Sequence, residues 1–164
     1  MTHMKIIFFT TGGTIDKVYF DAKSEFEVCS PQVSELLHDA NVTFEYKVES
    51  ILRKDSLDMT EADRALIRGR VAADPAVRIV VTHGTDTMIL TALALKGIPA
   101  KTIVLTGSMQ PARLRVTDAG FNLGTAIAAV QILPPGVYIA MNGRIFNPDC
   151  CRKNVADHRF EDIA

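Results

Sequence analysis

Residues 78–106 read Arg78-Ile-Val-Val-Thr82-His-Gly-Thr-Asp86-Thr-Met-Ile-Leu-Thr-Ala-Leu-Ala-Leu-Lys96-Gly-Ile-Pro-Ala-Lys-Thr102-Ile-Val-Leu-Thr106. Two short runs rich in β-branched residues, Arg78–Thr82 and Thr102–Thr106, flank a segment of helical length. The helix is expected from about Asp86 to Lys96, where Gly97 and Pro99 stop it. A strand, a helix and a second strand joined so closely form a parallel crossover unit.

The same alternation extends both ways. Downstream, a helix is expected from about Asp118 to Leu133, stopped by Pro134-Pro135-Gly136, and then Val137–Met141 is the last clear strand. Upstream, Lys5–Thr10 reads as a buried strand, and Ser30-Pro31 as an N-cap with proline at the first helical position, opening a helix to about Asp39. Val42, Phe44, Tyr46 and Val48 alternate with polar residues, predicting a strand with one buried face. Thr60 to Asp63 has the form of a capping box, with Asp in the usual Glu place, and starts a helix to about Ala73. The expected fold class is α/β: a single three-layer, Rossmann-like domain over residues 1–164 with a mostly parallel sheet. The chain shows no repeat, low-complexity tract or interdomain linker.

Composition narrows the function. The chain has 164 residues, 18 Lys plus Arg against 19 Asp plus Glu, and a net charge of −1. That balance, with no basic run, argues against a nucleic-acid partner. The first ten residues hold only four consecutive apolar residues, too few for a signal-peptide core, and nothing approaches the ~20 apolar residues that span a bilayer. No membrane partner is expected. The three cysteines, Cys29, Cys150 and Cys151, make a poor disulfide framework, and a cytoplasmic location is expected. The four scattered histidines and the lack of Cys-x-x-Cys spacing give no metal site.

In a parallel sheet ligands bind where strands end at their carboxyl side, so five loops carry the functional reading: Thr11–Phe26, Ile51–Met59, His83–Thr87, Gly107–Asp118 and Asn142–Lys153. In the first, Gly12 and Gly13 allow a sharp turn and close approach to a ligand, and Thr14 presents a hydroxyl there. A plain turn satisfies the same four residues. Neither a dinucleotide fingerprint nor a phosphate-binding loop is present, and no cofactor is implied. Asp16–Phe26, with Tyr19 and Phe20, shows no firm helix or strand and reads either as a surface loop or as a lid bringing a phenol over a site.

The loop after Thr82 offers the hydroxyl of Thr85 beside the carboxylate of Asp86. These two residues also suit a simple helix N-cap. A hydroxyl needs a neighbouring base to become a nucleophile. His83 is the nearest in sequence, although it serves equally as a hydrogen-bonded spacer in the turn. Lys153 is the other candidate, since a lysine lifted out of water can lose its proton. Ser56 and Asp58 either hold the charged ends of a small zwitterion or cap the next helix. Cys150-Cys151 has no catalytic pattern around it.

Taken together, these loops resemble the N-terminal half of the bacterial-type L-asparaginases. The resemblance rests on Thr11-Gly-Gly-Thr-Ile15, Thr82-His-Gly-Thr-Asp-Thr-Met88, Gly107-Ser-Met-Gln-Pro111 with Asp118-Ala-Gly-Phe-Asn-Leu123, and Met141-Asn142 followed by Lys153. It runs in order from Lys5 to about Phe160. The resemblance implies hydrolysis of the side-chain amide of L-asparagine to L-aspartate and ammonia through an acyl-enzyme, with L-glutamine a weaker substrate. Thr14 would be the nucleophile. Thr85, Asp86 and Lys153 would activate a nucleophile or the hydrolytic water. Asp86 would also face the substrate's α-amino group and Ser56 its α-carboxylate, with Gly13 and Gly84 lining the site.

Three departures stand out. Ser24-Glu-Phe26 places phenylalanine where the family carries a lid tyrosine, leaving Tyr19 as the lid phenol. Leu57 replaces a frequent glutamine. The sequence stops where the family's C-terminal domain would follow, and the expectation is a short form without that domain, completed by another copy of the chain, a homo-oligomer (dimer or tetramer). The competing expectation is a non-catalytic amino-acid-binding or regulatory domain with the same fold.

Overall fold

In a computed structural model, which describes residues 4–20 and 25–163, the chain forms a six-stranded sheet with helices on both faces. Strand β1 is Lys5–Gly12, and a 3-10 turn at Thr14–Asp16 leads into β2 (Lys17–Phe20) and β3 (Glu25–Val28). Then follow α1 (Val33–Asp39), β4 (Glu45–Lys54), a 3-10 turn at Ser56–Asp58, α2 (Glu61–Ala73), β5 (Arg78–Thr82), α3 (Met88–Leu95) and β6 (Thr102–Thr106). The chain closes with α4 (Ala119–Ile132), β7 (Gly136–Met141), β8 (Arg144–Phe146), β9 (Cys151–Asn154) and β10 (Arg159–Asp162).

The sheet order is β4-β1-β5-β6-β7-β8, parallel except for the last pair. The expected α/β class with a mostly parallel sheet is what the structure has. Its inner strands are continuous apolar runs because both faces are covered. Ile7, Phe9, Ile79, Val81, Ile103, Leu105 and Ile139 meet Ile67 and Val71 of α2 and Met88, Ala92 and Leu95 of α3. The alternate residues Ile6, Phe8, Val80, Val104 and Ala140 meet Val33 and Leu37 of α1 and Leu123, Ala126 and Val130 of α4. From β1 the chain moves to β4 on one side and then to β5 on the other, so the order reverses between β1 and β5. A crevice outside their carboxyl ends is the position such a reversal creates.

Four expectations need correction. The segment 16–26 is not irregular: β2 and β3 pair antiparallel, with Tyr19 opposite Phe26, while Ser24 lies outside the described residues. The first helix begins at Val33 rather than at Ser30-Pro31, because the Gln32 N–H is held at 2.8 Å by the buried Asp16 carboxylate. The strand expected over Val42–Glu49 runs from Glu45 to Lys54, its register set by β1, with Lys5 opposite Glu45 and Gly12 opposite Lys54. Val137–Met141 is not the last strand. Asn142 and Gly143, at φ 53° and 74°, form the two-residue turn that Asn-Gly favours, and β8 returns antiparallel from it.

Candidate active site

The strand-exit loops meet backbone to backbone along a line of glycines. A Cβ on Gly13 would lie 2.4 Å from the Gly84 nitrogen, one on Gly84 2.6 Å from the Ser56 hydroxyl, and one on Gly107 2.2 Å from the His83 carbonyl. Gly12 and Gly13 also sit at positive φ, 95° and 86°, where other side chains are strained. Cross-links fix the same contacts: the Gly13 N–H donates to the Lys54 carbonyl (2.9 Å), the His83 N–H to the Thr106 carbonyl (2.9 Å), and the Thr87 hydroxyl to the Ser56 carbonyl (2.7 Å). Thr14 and Thr85, each following one of the touching glycines, therefore stand on adjoining loops.

Lys153 enters this floor from β9. Its Nζ lies 2.8 Å from the Thr85 hydroxyl and 2.6 Å from the Asp86 carboxylate, although the partners are 68 and 67 residues away in sequence. The lysine side chain keeps only 14% of its exposure, while Asp86 keeps 41%. One cation thus touches both a hydroxyl and a carboxylate at the rim of the crevice. Ser56 sits next to this group, with its hydroxyl buried and without a hydrogen-bond partner among the described residues. A buried hydroxyl without a partner is costly unless a ligand or water satisfies it.

A family model described as "Asparaginase, N-terminal" matches residues 5–161. The chain belongs to the asparaginase family. It is 36% identical over 152 residues to an L-asparaginase of Thermococcus kodakarensis, covering 87% of this chain and 45% of that one. A solved structure of the thermostable L-asparaginase from that organism superposes with a TM-score of 0.83 at 31% identity, covering 98% of this chain and 51% of the other. A glutaminase-asparaginase of Acinetobacter glutaminasificans is 32% identical over 179 residues, covering 94% and 52%. One of the glutamyl-tRNA(Gln) amidotransferase subunits of Aeropyrum pernix is 38% identical over 136 residues, covering 77% and 30%. The chain spans about half the length of the asparaginase relatives it matches.

Within this asparaginase-like crevice the remaining residues divide clearly. His83 faces the interior as a spacer: one ring nitrogen contacts the Gly84 carbonyl and the other the Thr91 hydroxyl, each at 2.7 Å. Burial pushes its pKa down to about 4, against a smaller upward pull from the Gly84 carbonyl, so the ring is neutral near pH 7. It does not touch Thr85 as a base would. Tyr19 is 46% exposed and packs on Phe26 at 5.1 Å between ring centroids; among the described residues no hydrogen bond joins its hydroxyl to Thr14. Leu57 is 71% exposed beside Ser56. Asp58 does not cap α2, whose box is made by Thr60 and Asp63.

Several supporting residues have no role assigned to them by the sequence alone. Asp55 accepts the Leu57 N–H (3.1 Å) and the Lys17 ammonium (2.6 Å), tying β2 to the Ser56 turn. Its burial opposes ionisation, but the Lys17 bond and the backbone N–H groups outweigh it and lower its pKa. Asp16 is almost fully buried below Thr14, and that burial raises its pKa to about 6 despite the Gln32 N–H and the Arg53 charge. Asp118 accepts the N–H groups of Met109 and Gln110, shaping the loop after β6. A carboxylate immediately before a helix is the available signal for Asp118. Nothing local marks Asp16 as buried. Among the described residues no group of three or more His, Cys, Asp or Glu is placed to hold a metal ion, and no helix is long and apolar enough to cross a membrane.

Proposed function

We propose that this chain hydrolyses the side-chain amide of L-asparagine to L-aspartate and ammonia, with L-glutamine a weaker substrate. The observation that carries the reading is the contact of Lys153 with Thr85 and Asp86, on loops abutting that of Thr14. A lysine in its neutral form takes a proton from a hydroxyl across the same 2.8 Å contact through which its ammonium donates. The oxygen of Thr14 attacks the amide carbon, its proton passes to the leaving nitrogen, and the C–N bond breaks to release ammonia. The threonine ester is then cleaved by water, activated through Thr85 and Lys153, which returns the proton to Thr14 and frees aspartate. Asp86 offers an acceptor for the substrate's ammonium, and the Ser56 hydroxyl a donor for its carboxylate. Backbone N–H groups of the Gly13 and Gly84 turns are the available donors for the oxyanion.

Asp86 and the β2–β3 hairpin stand open to solvent, and excluding water from such a site calls for a covering surface. We expect that cover from a second copy of the chain, in a dimer or tetramer, which light scattering after size-exclusion chromatography checks. The three cysteines are unpaired, which suits a reducing cytoplasm.

Ammonia release from L-asparagine and L-glutamine, measured for the chain and for Thr14→Ala, Thr85→Ala and Lys153→Met, tests the reading. Activity that collapses in all three variants supports it. The exposed Leu57 beside Ser56 favours a second reading, an amino-acid-binding domain without catalysis. Asparagine binding by calorimetry with no ammonia from the folded chain would establish that one instead.

A further inference from the structure

We infer that Asn142 is a positioning residue for Lys153: its side-chain hydrogen bond to the Phe160 N–H sets how the β9–β10 hairpin seats on the main sheet, where the Arg144–Asp162 ion pair and the buried Phe160 ring also hold it. The inference rests on the reading of Lys153 as the group that serves Thr85.

Among the described residues the β9–β10 hairpin is a separate two-stranded sheet, with no ladder to the six-stranded one. A two-stranded ribbon is marginal by itself and takes its position from what it is tied to. Lys153 stands directly opposite Phe160 across the hairpin, so the two side chains share a face. The N–H of Phe160 donates at 2.8 Å to the Asn142 side-chain carbonyl. Asn142 is itself anchored: its own N–H donates at 3.1 Å to the side-chain carbonyl of the buried Asn122. The Asn122 amide donates in turn to the Gly107 carbonyl (3.0 Å) and to Asp118 (2.9 Å). A continuous line of hydrogen bonds therefore runs from the loop after β6, through α4 and the β7–β8 turn, to the residue paired with Lys153.

The backbone explains why asparagine occupies this place. At φ 53° the turn demands a left-handed residue, which Asn, Asp and Gly tolerate, and only Asn and Asp also present an acceptor to Phe160. Asn142→Gly thus keeps the turn and deletes the bond, whereas Asn142→Asp keeps both.

Three readouts on the full chain test the inference: exchange of the Phe160 amide, the rate at which an amine-acylating reagent labels Lys153, and kcat and KM for ammonia release. In Asn142→Gly the Phe160 amide is expected to exchange at least about tenfold faster. Lys153 is expected to label several times faster, and kcat to fall about 10- to 100-fold with KM changed less than about threefold. Asn142→Asp is expected to recover most of each loss. Unchanged Phe160 exchange and Lys153 labelling in Asn142→Gly would overturn the inference, as would a full kcat in that variant of an active chain. Accelerated labelling in a chain that releases no ammonia in any form would retire the hydrolase reading and leave the placement of Lys153 standing.

Discussion

The two antiparallel hairpins beside the crevice, β2–β3 and β9–β10, are built from strands of equal length and are held in opposite ways. The β9–β10 hairpin buries Cys151 and Phe160, and the Phe160 ring meets Phe146 at 6.3 Å. No described residue of β2–β3 is buried; of its three aromatic rings Tyr19 and Phe26 lean on each other at the surface, and Phe20 is exposed as well. A residue carried by β9–β10 is therefore placed by the folded core before any ligand arrives. A residue carried by β2–β3 receives no such placement, and any work by Tyr19 depends on what closes over it. The hairpin with Lys153 is part of the scaffold, and the hairpin with Tyr19 is a flap at its edge.

Removing the scaffold-held group itself tests this contrast most severely. Lys153→Met is expected to lower ammonia release by about 10³-fold, with thermal stability nearly unchanged because the Lys153–Asp86 pair lies at the rim. Retained activity in that variant would make the placement of Lys153 irrelevant to catalysis. Next in size, Phe160→Ala is expected to destabilise the fold by about 3–4 kcal/mol in urea unfolding, the cost of emptying a buried aromatic site. Phe26→Ala, its counterpart on the other hairpin, should cost less than about 1 kcal/mol, since its ring is 45% exposed. Similar losses for the two would erase the difference between the hairpins.

A smaller effect concerns the root of β2–β3, where Asp16 holds Gln32 and its carbonyl accepts the Cys29 N–H. With a folded pKa of about 6 against 3.8 unfolded, the native chain binds the extra proton between roughly pH 4 and 6. Its contribution therefore improves as pH falls through that range, and the buried charge is a liability at pH 7. His83 runs the other way. Folded at about 4 against 6.5 unfolded, it costs stability as pH falls from 6.5 towards 4. Across pH 4–6 the two oppose each other. Asp16→Asn is expected to gain on the order of 2 kcal/mol at pH 7.5 and nothing near pH 4. Its melting temperature should then fall more steeply than the parent's on acidification from pH 6.5, because His83 is left uncompensated. Parallel curves for the two proteins would contradict the buried charge at Asp16.

The smallest structural effect belongs to the flap. Tyr19→Phe should leave stability within about 0.5 kcal/mol, while a phenol that reaches Thr14 on closure would show as a kcat lowered about tenfold or more. Unchanged kcat would reduce Tyr19 to a surface ring and widen its distance in role from Lys153.

Much of this molecule is legible in the sequence. The runs Ile6–Phe9, Ile79–Val81 and Ile103–Leu105 are apolar at every position, and only strands buried on both faces need that. The helix stops at Gly97 and at Pro134-Pro135-Gly136 fall within a few residues of the ends of α3 and α4. Thr14, Ser56, Thr85, Asp86 and Lys153 all lie on strand-exit loops or just beyond them, and these loops converge on one crevice. The Asn142-Gly143 pair is a readable hairpin signal too. The β2–β3 hairpin is harder, since Lys17–Phe20 does not alternate, Glu25–Val28 alternates over only four residues, and neither strand buries a face.

What the sequence determined by itself was therefore local: which segments bury both faces, where helices end, and which loops carry hydroxyls, carboxylates and glycines. These follow from the period of the backbone and the conformational range of single residues. Only the tertiary structure decided that Lys153 and not His83 meets Thr85, that Asp16 is buried, and that Asn142 reaches Phe160. Each of these depends on groups 16 to 68 residues apart being brought within hydrogen-bond reach. The packing of a whole sheet and its helices sets such distances, and no run of neighbouring residues encodes them.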